Sequence, residues 1–179
     1  RRGLAVVPVL NPDGVEIAAR GAEGASYMSG EVLQISGGDF GSWQANARGV
    51  DLNHNFDAGW QMLRRMEQQA GIVGPAPRQF GGRAAFSEPE SRAIANFCKG
   101  FGVRQLYAFH SQGEEIYWHY GPHTPSHAQM LGQVLAQSSG YVLASPDGMA
   151  SHGGLKDWFI ERFARPGFTI EIGRGKNPL

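Results

Sequence analysis

Two short apolar runs, Leu106-Tyr107-Ala108-Phe109-His110 and Phe168-Thr169-Ile170-Glu171-Ile172, constrain this chain more than any other feature. Each is brief, rich in aromatic or β-branched side chains, and reads as a buried strand. Each also carries one ionisable group at or near its carboxyl end, His110 and Glu171. The segments between them have helical periodicity. Strands alternating with helices specify an α/β layered domain, and ligands of such sheets gather outside the carboxyl ends of the strands. An imidazole and a carboxylate delivered to that crevice are what a metallohydrolase is built from. The first holds zinc and the second takes the proton of the attacking water.

Further elements follow from local signals. Residues 4–10 (Leu-Ala-Val-Val-Pro-Val-Leu) read as a strand with Pro8 at a bulge, closed by a turn at Asn11-Pro12-Asp13-Gly14. Residues 15–50, with their glycines and serines, read as an irregular surface excursion. Helical periodicity spans residues 57–70, and residues 71–85 form a Pro/Gly loop. Ser87-Glu88-Pro89-Glu90 is a helix start: Ser87 caps, Glu90 completes the capping box and Pro89 suits the first turn. Ala93, Ile94, Phe97 and Phe101 then mark the inner face. Residues 115–120 continue the sheet. Residues 126–139 form a helix burying Met130, Leu131, Val134 and Leu135, and residues 154–164 form another with Trp158, Phe159 and Phe163 inward.

The length of 179 residues suits one domain or most of one. Sixteen basic and sixteen acidic residues cancel, so no general attraction to nucleic acid or an anionic membrane surface is expected. No apolar stretch approaches the ~20 residues needed to span a bilayer. The single Cys98 excludes an internal disulfide and reads as a packing residue. The chain runs directly from Arg1-Arg2-Gly3 into its first apolar run without an initiator methionine, and it ends abruptly at Lys176-Asn177-Pro178-Leu179. It is therefore expected to lack its front.

Five motifs stand in the order and spacing of one family: Asn11-Pro12-Asp13-Gly14, Gly49-Val50-Asp51-Leu52-Asn53-His54-Asn55-Phe56, Phe86-Ser87-Glu88-Pro89-Glu90, Phe109-His110-Ser111 and Phe168-Thr169-Ile170-Glu171. Together they resemble the zinc carboxypeptidases over nearly the whole chain. Gly154-Leu155-Lys156-Asp157-Trp158-Phe159 and Ile172-Gly173-Arg174-Gly175-Lys176-Asn177-Pro178 are most similar to the bacterial γ-D-glutamyl-diaminopimelate peptidases, which cut cell-wall peptides. The resemblance implies a three-layer sandwich, a mixed central β-sheet flanked by helices. Residues 1–179 would be the C-terminal portion of a single peptidase domain, incomplete at the N-terminus. It implies Zn2+ as cofactor, His110 as a zinc ligand and Glu171 as the general base. Asp51 would orient a zinc-bound histidine lying outside this chain, with a turn-forming role equally open. Asn53, His54, Arg48 and Lys156 would contact the substrate, a peptide or a peptidoglycan fragment. Compartment, either bacterial cytoplasm or cell envelope, and oligomeric state stay open.

The departures from the family pattern also inform. The family's other two zinc ligands come from a His-x-x-Glu, and none occurs in these 179 residues. They are expected before Arg1; otherwise the chain is metal-free. His54 stands where an arginine normally clamps a free C-terminal carboxylate, and imidazole lacks the bidentate fork. That disfavours strict release of C-terminal residues and favours a substrate such as diaminopimelate. Gln44 takes the place of an oxyanion-stabilising arginine, a loss that Arg48 would have to offset. Met149 lies where a mobile tyrosine is usual and is assigned no role. Lys156, at the specificity-pocket position, would favour an acidic group. The alternatives are a metal-free pseudo-peptidase that binds cell-wall peptides, and a carboxypeptidase releasing acidic C-terminal residues.

Overall fold

The structure, a computed structural model, describes residues 3–175. Arg1, Arg2 and residues 176–179, which carry the end of the branch motif, lie outside the described residues. A four-stranded mixed sheet is built from β1 (Leu106–His110), β2 (Glu115–Tyr117), β3 (Val142–Ala144) and β4 (Gly167–Glu171), in the order β1-β4-β2-β3. β1 runs parallel to β4 and β2 parallel to β3, whereas β2 and β4 are antiparallel. The register aligns His110 with Glu171 and Glu171 with Glu115, so these three residues form one row across three strands. Paired residues share a face of the sheet, and alternate residues along a strand face opposite ways.

That alternation divides the core. Ile116, Phe168 and Ile170 point to one face and pack with Leu131, Leu135 and Leu143 beneath α5 (Ala128–Ser139). Leu106 and Ala108 point to the other and pack with Phe56, Trp158 and Phe159 of the cluster around α6 (Leu155–Phe163). The layered α/β arrangement expected from the sequence is present. α6 is buried from Leu155 through Ile160. Burial on the scale of Phe159 or Ile160, both fully enclosed, stabilises by about 1.5–3 kcal/mol per side chain. Asn53 caps its start, Oδ1 accepting from the Leu155 N–H at 3.1 Å, and a left-handed Ala164 ends it.

Several local expectations change. Residues 4–10 do not form a strand: Leu4 and Val6 are exposed, Pro8 cannot donate a hydrogen bond, and no described strand pairs with them. Asn11-Pro12-Asp13-Gly14 is a helix start instead of a turn. The Asn11 side chain accepts from the Gly14 N–H at 3.0 Å and Pro12 occupies the first turn of α1 (Pro12–Arg20). Residues 15–50 are not irregular throughout. A 3-10 stretch (Gly21–Met28) and α2 (Ser29–Ser36) follow α1, and Ile17, Val32 and Trp43 form a core of their own. Gly24 permits this: a Cβ there would lie 2.2 Å from the Glu16 carbonyl oxygen.

α3 (Trp60–Gln69) and the loop after it agree with the sequence. α4 (Pro89–Phe101) has at its N-cap position Glu88, whose side chain makes no cap bond, while the Ser87 hydroxyl donates to the Glu88 carboxylate at 2.7 Å and makes no cap. Its buried residues are Ser91, Ala95 and Cys98; Phe101 is exposed and stacks on Phe97. On α5 Met130 and Val134 face outward, and Ala128 and Gly132 take the buried positions. The strand expected over residues 115–120 ends at Tyr117, and β3 carried too little signal to be read. β1 edges the sheet, which leaves Phe109 68% exposed and not buried as its apolar run implied.

Candidate active site

His110 and Glu171 end adjacent parallel strands at their carboxyl ends, in direct register. Burial lowers the affinity of the His110 ring for a proton, and the nearby negative charge of Asp51 opposes that only in part, which favours the neutral imidazole that a metal requires. Glu171 has its carboxyl pushed up to about 7, chiefly by burial and then by the charge of Glu115 across the β2–β4 pair. Glu115 was not singled out from the sequence. Its carboxylate accepts from the Tyr117 hydroxyl at 2.7 Å, and both residues lie on the Glu171 face of the sheet. The alternation Glu115-Ile116-Tyr117 around one buried isoleucine was the signal available.

The loop carrying Asp51, Asn53 and His54 approaches the same region. Asp51 is buried, and its two oxygens accept from the backbone N–H groups of Asn53 (3.1 Å) and Gln79 (2.9 Å). Asn53 ties this loop to α6 through its carbonyl oxygen, leaving its amide NH2 for a ligand. His54 is buried, with Nδ1 at 3.2 Å from both Glu67 Oε1 and the Gln79 carbonyl, so Nε2 is the ring atom with which it would meet a substrate. Glu67 is itself fully buried and also pairs with Arg64.

Arg48 extends toward solvent from a firm base: its Nε lies 3.6 Å from Glu88 Oε2, and that buried carboxylate also accepts from Asn46 at 2.9 Å. Gln44, offered as the arginine replacement, is exposed, and its backbone is held by the Pro77 carbonyl. Lys156 departs most from the picture of an open specificity residue. It is 3% exposed, its ammonium donates to the His119 carbonyl at 2.9 Å, pairs with Asp157 and sits 5.7 Å over the Tyr120 ring. A small cavity of about 140 Å3 adjoins it, lined by His119, Tyr120, Ser145, Ser151 and Asp157 among others.

His110 suits zinc as one ligand by position and protonation state. Among the described residues, however, no three His, Cys, Asp or Glu side chains come together as a metal site. His123 and His127 do not share a helix, since α5 begins only at Ala128.

The family profile described as zinc carboxypeptidase matches residues 3–178. The chain belongs to the zinc carboxypeptidase family. As a member it is similar to the γ-D-glutamyl-L-diamino acid endopeptidase 1 of Lysinibacillus sphaericus, 36% identical over 178 residues, covering 98% of this chain and 43% of that protein. Bovine carboxypeptidase B is 27% identical over 144 residues, 72% of this chain and 33% of its own length. The crystal structure of carboxypeptidase A from Helicoverpa armigera superposes with a TM-score of 0.63 at 23% identity, over 97% of this chain and 43% of its own, a likeness in fold. This carboxypeptidase-family chain thus spans less than half the length of these relatives. No helix among its described residues is long and apolar enough to cross a membrane.

Proposed function

We propose that the protein carrying this chain is a zinc-dependent peptidase that hydrolyses an amide bond in peptidoglycan stem peptides, of the γ-D-glutamyl–diamino acid type. Residues 1–179 form the C-terminal portion of its single catalytic domain. The observation that carries the reading is the register pair of His110 and Glu171 at the carboxyl ends of two parallel strands. The relative named as a γ-D-glutamyl-L-diamino acid endopeptidase supports the substrate class.

In this reading His110 is one ligand of the zinc, and the remaining ligands come from parts of the protein beyond these residues. Zinc, when bound, supplies Lewis acidity toward the substrate carbonyl and acidifies water. Glu171 accepts the proton of the attacking water on its carboxylate and delivers it to the leaving amine. Its desolvated position raises its basicity toward the range a general base needs near neutral pH. Asp51 holds its loop and directs negative charge at His110. Asn53, the Nε2 of His54, and Arg48 braced on Glu88 contact the polar groups of the peptide. Lys156 pairs with Asp157, which lines the small cavity, and supports it from behind. Because Asp157 already balances its charge, Lys156 offers less attraction to an acidic C-terminal residue, which weighs against the acidic carboxypeptidase alternative.

The test is an assay of the protein in the length its gene encodes, on a γ-D-glutamyl-diaminopimelate peptide. The wild type is expected to release the diaminopimelate-containing product. Glu171→Gln is expected to abolish turnover with zinc content unchanged, and near-full activity in that variant would remove Glu171 from the mechanism. Binding of the peptide by the wild type without hydrolysis would favour the metal-free binding module instead.

A further inference from the structure

A groove of about 540 Å3 lies between α3 and the loop that follows it. Trp60, Arg64 and Gln68 recur at successive turns of α3 with Arg65 beside them, and Phe80 and Arg83 stand on the loop opposite. Three guanidinium groups line it and no carboxylate does. In a chain of zero net charge, and with Arg64 balanced by Glu67, Arg65 and Arg83 leave the groove a local excess of positive charge.

The three arginines differ in how they are held. Arg64 pairs with Glu67 and lays its guanidinium 4.8 Å over the Phe80 ring, which fixes its direction. Arg65 and Arg83 are exposed, and neither forms an ion pair among the described residues. Trp60 is anchored by its Nε1–H donating to the Gly81 carbonyl at 2.9 Å, so the groove wall is preformed. Guanidinium forks on a preformed wall match carboxylate and phosphate geometry bidentately. The volume is that of sites which hold a small molecule or a short segment of a longer one.

We infer that this groove binds an oligoanionic ligand, a chain carrying closely spaced carboxylates or phosphates, through Arg65 and Arg83 with Arg64 as the fixed third contact. Glu67 links Arg64 to His54, one carboxylate oxygen to each, so Arg64 is left intact in any test. Binding of this kind needs no turnover, and its measurement succeeds or fails whatever the peptidase assay gives.

The experiment is calorimetric titration of the full-length protein at low ionic strength with two probes, tri-glutamate for carboxylates and tripolyphosphate for phosphates. At least one is expected to bind, and the double variant Arg65→Ala/Arg83→Ala to lose about tenfold in affinity. The probe that binds more tightly identifies the source of the oxyanions. A control pair of exposed arginines elsewhere, Arg104→Ala/Arg162→Ala, removes the same charge and is expected to leave affinity within about twofold. Failure of both probes to bind, or an equal loss in the control pair, would overturn the assignment.

Discussion

Glu171 stands between an imidazole on one neighbouring strand and a second carboxylate on the other, and its chemistry follows from that position. In metal-free protein its carboxyl should titrate near about 7, and Glu115→Gln should bring it down, since one of the two causes is removed. Carboxyl carbon NMR through a pH series checks this; an unmoved titration would mean that burial alone acts. The sign for stability follows. A carboxyl with a raised folded value keeps its proton in the folded state while the unfolded chain has lost it. This group therefore withdraws stability from the metal-free protein as pH climbs from about 4.5 to about 7. Cys98 is buried and its thiol is pushed up by that burial, so alkylation should be slow in native protein at neutral pH and fast after unfolding, as a timed thiol assay would record. That His110 and Glu171 stand at strand ends was legible in the sequence because each lies at or near the close of an apolar run. Glu115 was not, because its importance comes from strand pairing and the sequence does not state which strands pair.

At the scale of elements, α6 holds a buried ion pair beside the apolar residues Leu155, Trp158, Phe159 and Ile160. Lys156 and Asp157 are each about 3% exposed along the side chain. Asp157→Asn should cost about 3–5 kcal/mol by leaving a buried ammonium without its counter-charge, whereas the double change Lys156→Met/Asp157→Leu should restore much of the loss. Denaturant unfolding of the three proteins decides it, and equal stability of the single and double variants would contradict the pairing. At the other end of the chain, Asn11→Ala should cost about 1 kcal/mol, the worth of a helix cap. That cap also explains one misreading. Asn-Pro-Asp-Gly is turn chemistry and helix-start chemistry at once, and only the apolar positions beyond it, Ile17 and later Val32, distinguish the two. α2, with its serines and glycine, has weak periodicity, whereas α1 has a clear apolar face that was hidden by its turn-like start. Residues 4–10 have strand composition without a strand, because composition supplies no partner for the hydrogen bonds.

Across the whole molecule, the sheet order, the two packed faces and the family match agree on a zinc carboxypeptidase framework. The framework was legible because five motifs kept their order over nearly the full length. For a metal site the sequence offered His110 as a single candidate ligand, and among the described residues no three His, Cys, Asp or Glu side chains come together. The central claim is that His110 takes part in a zinc site completed elsewhere in the same protein. Elemental analysis of zinc against protein concentration, on the protein in the length its gene encodes, tests it most directly. About one zinc per chain is predicted, falling well below that in His110→Ala. A content near zero in the wild type even after zinc is supplied, or full zinc retention in the His110→Ala variant, would contradict the account.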